Sequence, residues 1–285
     1  MRKEYIPFVS DLIELAIRED IGDGDHTSLA TVPGGERGRM KLLVKQDGVL
    51  AGVEVARMVF DRLLGEYVFE QLLNDGDRVK VGDIAFYVEG EMIRLLQAER
   101  IVLNIMQRMS GIATQTAVYA DRIKDFKAKV IDTRKAAPGM RVLDKMAVAI
   151  GGGGNHRIGL FDMILIKDNH IDHAGGVRQA LERTRDYLTR TGRRLPIEIE
   201  TRSIADIEEV FASGGADRIM LDNFDVKTTA EAVRLIDGRA EVESSGGITL
   251  DTIADYAAAG VDFISVGALT HQIKSLDMSL KLIKL

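Results

Sequence analysis

A chain of 285 residues is long enough for a complete hydrophobic core, held in one large domain or two ordinary ones. With 46% hydrophobic and 29% charged residues it reads as a globular protein, and no apolar run approaches the ~18 residues that a membrane-spanning helix needs. A formal net charge of −6 excludes general nucleic-acid binding, and the absence of cysteine excludes disulfides, thiolate metal ligands and a cysteine nucleophile.

The opening stretch, MRKEYIPFVSDLIELAIRED, carries Glu4, Asp11 and Glu14 where a secretory peptide would be apolar, so a cytoplasmic location is expected. Val9, Leu12, Ile13, Leu15, Ala16 and Ile17 recur there at helical spacing, and the pattern stops at Gly22 and Gly24, which predicts an amphipathic helix over 6–20. GRMKLLVKQDGVLAG reads as strand, turn at Asp47-Gly48, and strand; VEVARMVFDRLLG reads as a helix closed by Gly65. A second strand pair is expected in EYVFEQLLNDGDRVKVGDIAFYVEG, around the turn signals Asn74-Asp75-Gly76 and Gly82-Asp83. From Glu91 to about Phe126 the pattern is helical, with an expected interruption at Ser110-Gly111. Arg100 and Asn104 fall one turn apart on that helix, and on pattern alone Arg100 is a solvated surface charge.

Beyond residue 127 the rhythm changes. The short apolar segments KVIDT, MILIK, PIEIE, RIMLD, AEVESS and DFISVG each precede a helical pattern, the last of them a final helix. Repeated strand-helix units of this kind predict an α/β fold with a parallel sheet. Ser203 and Thr249 are expected helix starts. Six units, with a seventh strand contributed less obviously, suit an open (β/α) barrel. An open doubly wound sheet is the structural competitor, disfavoured because no G-x-G-x-x-G follows the first strand.

In such folds ligands bind at the C-terminal ends of the strands. The polar residues fall there. Thr133, Arg134 and Lys135 follow the first strand, Lys167 ends the second, Glu200 the third and Asp222 the fourth. Ser245, Gly246 and Gly247 follow the fifth, and Val266, Gly267 and Ala268 the sixth. The glycine-bearing ends expose backbone N–H groups as a 5′-phosphate requires. Glu200 and Asp222 suit ribose hydroxyls or a Mg2+ ion holding a pyrophosphate, partly through water. Arg134 and Arg157 can bind carboxylates bidentately, Lys135 and Lys167 act as point charges, and His156 can donate or carry a proton.

The segments DTRKAAPG, GGGGNHRIGLFDMILIKDNH, LDNF, SSGGI and SVGALTH, with EDIGDGDHTS near the start and LLQAERIVLNIMQRMSGIAT in the middle, closely resemble the quinolinate phosphoribosyltransferase family. These are the type II phosphoribosyltransferases of de novo NAD synthesis. The resemblance implies an N-terminal α/β sandwich domain over 1–113 and an open barrel of about seven strands over 114–285. It implies a homodimer, open to further assembly, in which Arg100 reaches into the neighbouring active site. It also implies that quinolinate and phosphoribosyl pyrophosphate (PRPP) are the substrates, with Mg2+ carried by PRPP. By the same carry-over Arg100, Arg134, Lys135, His156, Arg157 and Lys167 form the pocket for the quinolinate carboxylates, Glu200 and Asp222 the ribose and Mg2+ side, and Ser245 to Gly247 and Val266 to Ala268 the phosphate loops. Lys135, Lys167, Glu200 and Asp222 are the expected catalytic residues. The chain departs from the family's usual TRKTTPG at Ala136-Ala137, which removes two hydroxyls near the site. The competing readings are a paralogous group tied to molybdenum transport, a Schiff-base aldolase using Lys167, and a phosphosugar-binding barrel without turnover.

Overall fold

Pro7 occupies the first turn of α1 (Ile6–Asp20), where its missing N–H costs nothing, and α1 buries Val9 and Ile13. Residues 1–283 are described by the computed structural model. After α1 come α2 (His26–Thr31), β1 (Arg37–Val44), β2 (Gly48–Val49), α3 (Val53–Leu63), β3 (Val68–Gln71), β4 (Arg78–Val79), β5 (Ile84–Glu91) and α4 (Met92–Arg122). Then come β6 (Lys129–Ile131), α5 (Arg141–Ile150), β7 (Ile164–Ile166), α6 (Asp168–Ala174), α7 (Val177–Thr191), β8 (Ile197–Thr201) and α8 (Ile204–Ala212). The chain continues through β9 (Arg218–Asp222), α9 (Val226–Ile236), β10 (Glu241–Ser245), α10 (Ile253–Ala258), β11 (Phe263–Ser265), α11 (Ala268–His271) and β12 (Met278–Leu282). Among the described residues no helix is long and apolar enough to cross a membrane.

The residues cluster into two compact units that no single cut in the chain separates. Met1–Ala117, Ala136–Gly152 and the segment from Ala268 onward form one, and Val118–Lys135 with Gly153–Gly267 form the other. The first unit holds an antiparallel sheet in the order β12-β1-β5-β3. Its core includes Phe60, Phe69 and Phe86, with the Phe60 and Phe86 rings edge-on at 5.9 Å and the Phe69 and Phe86 rings at 4.7 Å.

Three sequence expectations change in this unit. The turn at Asp47-Gly48 does not close a β1–β2 pair, because β1 lies between β12 and β5 while β2 pairs with β4. Nor does Ser110-Gly111 interrupt α4. Ser110 Oγ accepts the Ala51 N–H at 2.8 Å and donates to the Ala51 carbonyl at 3.1 Å, so the side chain satisfies a neighbouring backbone. At Gly111 a Cβ would come 2.3 Å from the Lys274 carbonyl oxygen, so close backbone approach, not helix termination, accounts for this glycine. Finally, the expected closing helix is only the four-residue α11, after which β12 pairs with β1; Met278 and Leu280 alternate into the core with period two.

The second unit is a parallel sheet in the order β6-β11-β10-β9-β8-β7, so the first strand of the series pairs with the last, as a barrel requires. On the other side of β6, Gly154 makes a single parallel bridge to Ile131. That bridge is what remains of the less obvious seventh strand, and the barrel is open between it and β7. All five residues of β8 are buried, as expected for a parallel strand covered on both faces. Ser203 caps α8 by accepting the Asp206 N–H at 3.2 Å. Thr249 is not itself a cap: it forms a turn with Thr252, which precedes α10.

Candidate active site

Because the six barrel strands are parallel, their C-terminal ends share one edge, and registers place the polar residues along it. Asp222 pairs with Ser245, Ser265 with Ile131, and Glu200 with Met220, two residues before Asp222. The Val266 N–H donates to the Ile131 carbonyl at 3.0 Å, carrying the Val266-Gly267 turn past the end of β11 and beside Thr133. Thr133 Oγ1 accepts the Lys135 N–H at 3.0 Å, which shapes the turn that presents Arg134 and the exposed Lys135.

Arg157 is 7% exposed and its Nη1 donates to the Met163 carbonyl at 3.0 Å. Burial, and then the neighbouring charge of Arg134, lowers its pKa from the ordinary guanidinium value. The Nε atoms of both Arg134 and Arg157 are buried without a hydrogen-bond partner. Two adjacent guanidinium groups with unfilled donors are unfavourable alone and are relieved by a bidentate anion.

Opposite in charge is the carboxylate side. Glu200 is 8% exposed, and burial, followed by the charge of Asp222, raises its pKa; Lys167 opposes this, with Nζ 3.9 Å from Glu200 Oε2. Lys167 precedes α6, and its backbone N–H donates to His170 Nδ1 at 2.9 Å. Asp222 Oδ2 accepts from Asn223 Nδ2 at 2.7 Å. Carboxylates at the ends of neighbouring strands are oxygen donors of the kind Mg2+ takes, and Glu200 and Asp222 are the residues that could hold one.

His156 lies deeper. Asp132, fully buried after β6, accepts the His156 N–H at 2.9 Å and the Asn155 Nδ2 at 2.6 Å. The Arg157 N–H donates to His156 Nδ1 at 2.7 Å, and Nε2 lies 2.9 Å from Glu198 Oε2 and 3.6 Å from Glu243 Oε2. Both ring nitrogens therefore face protein, and the imidazole bears on a ligand through Arg157. Glu243 is also met by Arg218 Nη1 at 3.3 Å, yet burial and the adjacent Glu198 outweigh that attraction and push its pKa up to about 8.

Sequence reasoning missed Asp132, Glu198, Arg218, Asn223 and Glu243. Glu198 had a signal, since it stands two residues before Glu200 and so shares its face of the strand. The remaining expected residues lie in the first unit: Arg100 is exposed on α4, and Ala268 opens α11. Gly246 and Gly247 both have positive φ, at 101° and 61°.

The model of the quinolinate phosphoribosyl transferase C-terminal domain matches residues 112–281, and that of the N-terminal domain matches residues 25–110. This chain belongs to the quinolinate phosphoribosyl transferase family. Its relatives include quinolinate phosphoribosyltransferase (decarboxylating) 1b of Nicotiana tabacum, 46% identical over 95% of this chain and 81% of that protein. The nicotinate-nucleotide pyrophosphorylase (carboxylating) of Mycobacterium leprae is 42% identical over 95% of this chain and 96% of its own length. Among solved structures, NadC from Streptococcus pyogenes superposes with a TM-score of 0.91 at 38% identity, covering 97% of each chain. The nicotinate-nucleotide pyrophosphorylase from Francisella tularensis gives 0.90 at 35% identity, over 97% of this chain and 96% of that one.

Proposed function

We propose that the chain transfers the phosphoribosyl group of PRPP to the ring nitrogen of quinolinate with loss of the 2-carboxylate, forming nicotinate mononucleotide, pyrophosphate and CO2. The observation that carries this reading is the side-by-side Arg134 and Arg157, each with a buried unfilled Nε donor, on the strand edge that also bears Glu200 and Asp222. A dicarboxylate answers the first pair and a ribosyl phosphate the second set.

Quinolinate is held by Arg134, Arg157, Lys135 and Lys167, which neutralise its two carboxylates and orient the ring nitrogen toward C1 of the ribose. His156 holds Arg157 through the Nδ1 hydrogen bond. Glu200 and Asp222 accept ribose hydroxyls and stabilise positive charge as the C1–oxygen bond to pyrophosphate lengthens. These two carboxylates would hold the Mg2+ that accompanies PRPP, and the ion would offset charge on the departing pyrophosphate. The Ser245 to Gly247 turn and Gly267 receive the 5′-phosphate, through backbone N–H groups other than that of Val266, which is given to the Ile131 carbonyl. Once the ring nitrogen is quaternary, its positive charge stabilises the electron pair that stays on C2 when the C2–carboxylate bond breaks, so the carboxylate departs as CO2 and C2 takes a proton. Positioning and electrostatics supply the catalysis, without a covalent enzyme intermediate.

The functional unit in this reading is a homodimer, with Arg100 of each protomer supplied to the partner's carboxylate pocket. Its exposure on α4 supports that role, since no ion pair holds it among the described residues. The test of the whole reading is chromatographic detection of nicotinate mononucleotide from quinolinate, PRPP and Mg2+. A chain that binds both substrates but forms none is not this enzyme.

A further inference from the structure

Asn223 stands between the two halves of the proposed PRPP site and carries out three tasks. Its Nδ2 donates to Asp222 Oδ2 at 2.7 Å, and its backbone N–H donates to the Ser245 carbonyl at 2.9 Å. Its Oδ1 fills the space over Gly246, where a Cβ would come within 2.2 Å of that oxygen. Asp222 and Ser245 are register partners at the ends of β9 and β10, so the residue ties the tip of one strand to that of the next.

The backbone of Asn223 is left-handed, with φ 57°. Glycine adopts that conformation at no steric cost, and asparagine does so less readily. Asn223 is exposed, so core packing does not explain its amide. Other bonds also hold the loop. Tyr256 Oη donates to the Phe224 carbonyl at 3.0 Å, and Asp225 caps α9 by accepting the Thr228 N–H at 2.7 Å.

We propose that Asn223 is a positioning residue that locks the Asp222 carboxylate and the Ser245-Gly246 turn into one receptor for a ribose 5-phosphate. The proposal rests on the reading of that edge as the PRPP site. The amide donor fixes which Asp222 oxygen turns toward ribose hydroxyls, and the Oδ1 contact fixes where the Gly246 and Gly247 N–H groups point.

The test compares wild type with Asn223→Gly and Asn223→Asp. Calorimetric titration of PRPP with Mg2+, in the absence of quinolinate, is combined with KM for each substrate and with thermal unfolding. Asn223→Gly keeps the left-handed backbone and removes the amide. It should weaken PRPP binding about tenfold, the loss of one hydrogen bond to a charged group, with the quinolinate KM and Tm unchanged. Asn223→Asp, of nearly the same size, should weaken PRPP more, because it places a second negative charge against Asp222. Wild-type PRPP affinity in Asn223→Gly, or equal rises in both KM values, would overturn the proposal. Wild type that binds PRPP without consuming quinolinate overturns the assigned reaction and leaves Asn223 judged by calorimetry. Wild type that does not bind PRPP overturns both.

Discussion

His156 Nε2 lies 2.9 Å from Glu198 Oε2, two residues before Glu200 on the same strand, while its Nδ1 receives the backbone N–H of Arg157. The imidazole therefore links a buried acidic pair to the backbone of the buried Arg157.

The acidic pair makes stability depend on pH. Burial, and then the neighbouring Glu198, pushes the Glu243 pKa up to about 8 in the folded chain, above the ordinary glutamate value of about 4.3. Between those values the folded state binds the extra proton, so stability falls as pH rises through the window, by at most about 1.4 kcal/mol per unit. Glu243→Gln cannot ionise and should lose the Glu243 share of this slope, keeping that of Glu198, whose pKa burial also raises. Urea unfolding at pH 5 and pH 8 measures it: wild type should lose stability relative to the variant, and parallel pH profiles would count against the assignment.

Arg157→Ala should lower kcat/KM for quinolinate by a factor of 100 to 1,000 (order of magnitude), about 3–4 kcal/mol of transition-state stabilisation, because a buried carboxylate would lose its partner. Arg157→Lys should recover little of it, since an ammonium cannot make the two parallel bonds of a guanidinium. Steady-state kinetics with each substrate varied would show the loss on the quinolinate side.

Mixing two inactive variants tests the shared site. If Arg100 serves the partner's pocket, a dimer of one Arg100→Ala and one Arg157→Ala protomer contains one intact site and one doubly altered site. Random reassortment of equal amounts should then restore about a quarter of wild-type activity. No recovery after demonstrated exchange of protomers would place Arg100 in its own protomer's site or in none.

Arg108 makes two 2.8 Å bonds to Asp144, whose carboxylate is fully buried. Burial raises the Asp144 pKa, and Arg108 opposes that shift. Removing the guanidinium leaves the acid uncompensated, so Arg108→Ala should cost about 3–5 kcal/mol in chemical denaturation. Asp144→Asn in the same background should recover part of it.

The barrel was legible because each strand is a short apolar-rich run with a polar residue at or just past its end, a pattern that local sequence carries. KVIDT, MILIK, RIMLD, AEVESS and DFISVG each contain the strand found there, and PIEIE falls one residue short of the end of β8 at Thr201. The seventh position was not, because a one-residue bridge at Gly154 has no periodicity to read. The final strand was obscured by SLDMSLKLIKL, which fits helical and alternating patterns alike until β1 is available as a partner. At the site, strand-end residues such as Glu200 and Asp222 announced themselves by position. Asn223 did not, because its importance lies in a positive φ and in contacts to two neighbouring strand ends, and Glu243 looked like any acid in a polar strand end until its burial was known.

The most direct measurement follows quinolinate labelled at the 2-carboxylate, with PRPP and Mg2+, and records CO2, pyrophosphate and nicotinate mononucleotide together, with nicotinate as the control acceptor. We expect the three products in equal amounts, dependent on PRPP, with little product from nicotinate. Pyrophosphate release without labelled CO2, or equal use of nicotinate, would contradict a pocket built to read two carboxylates.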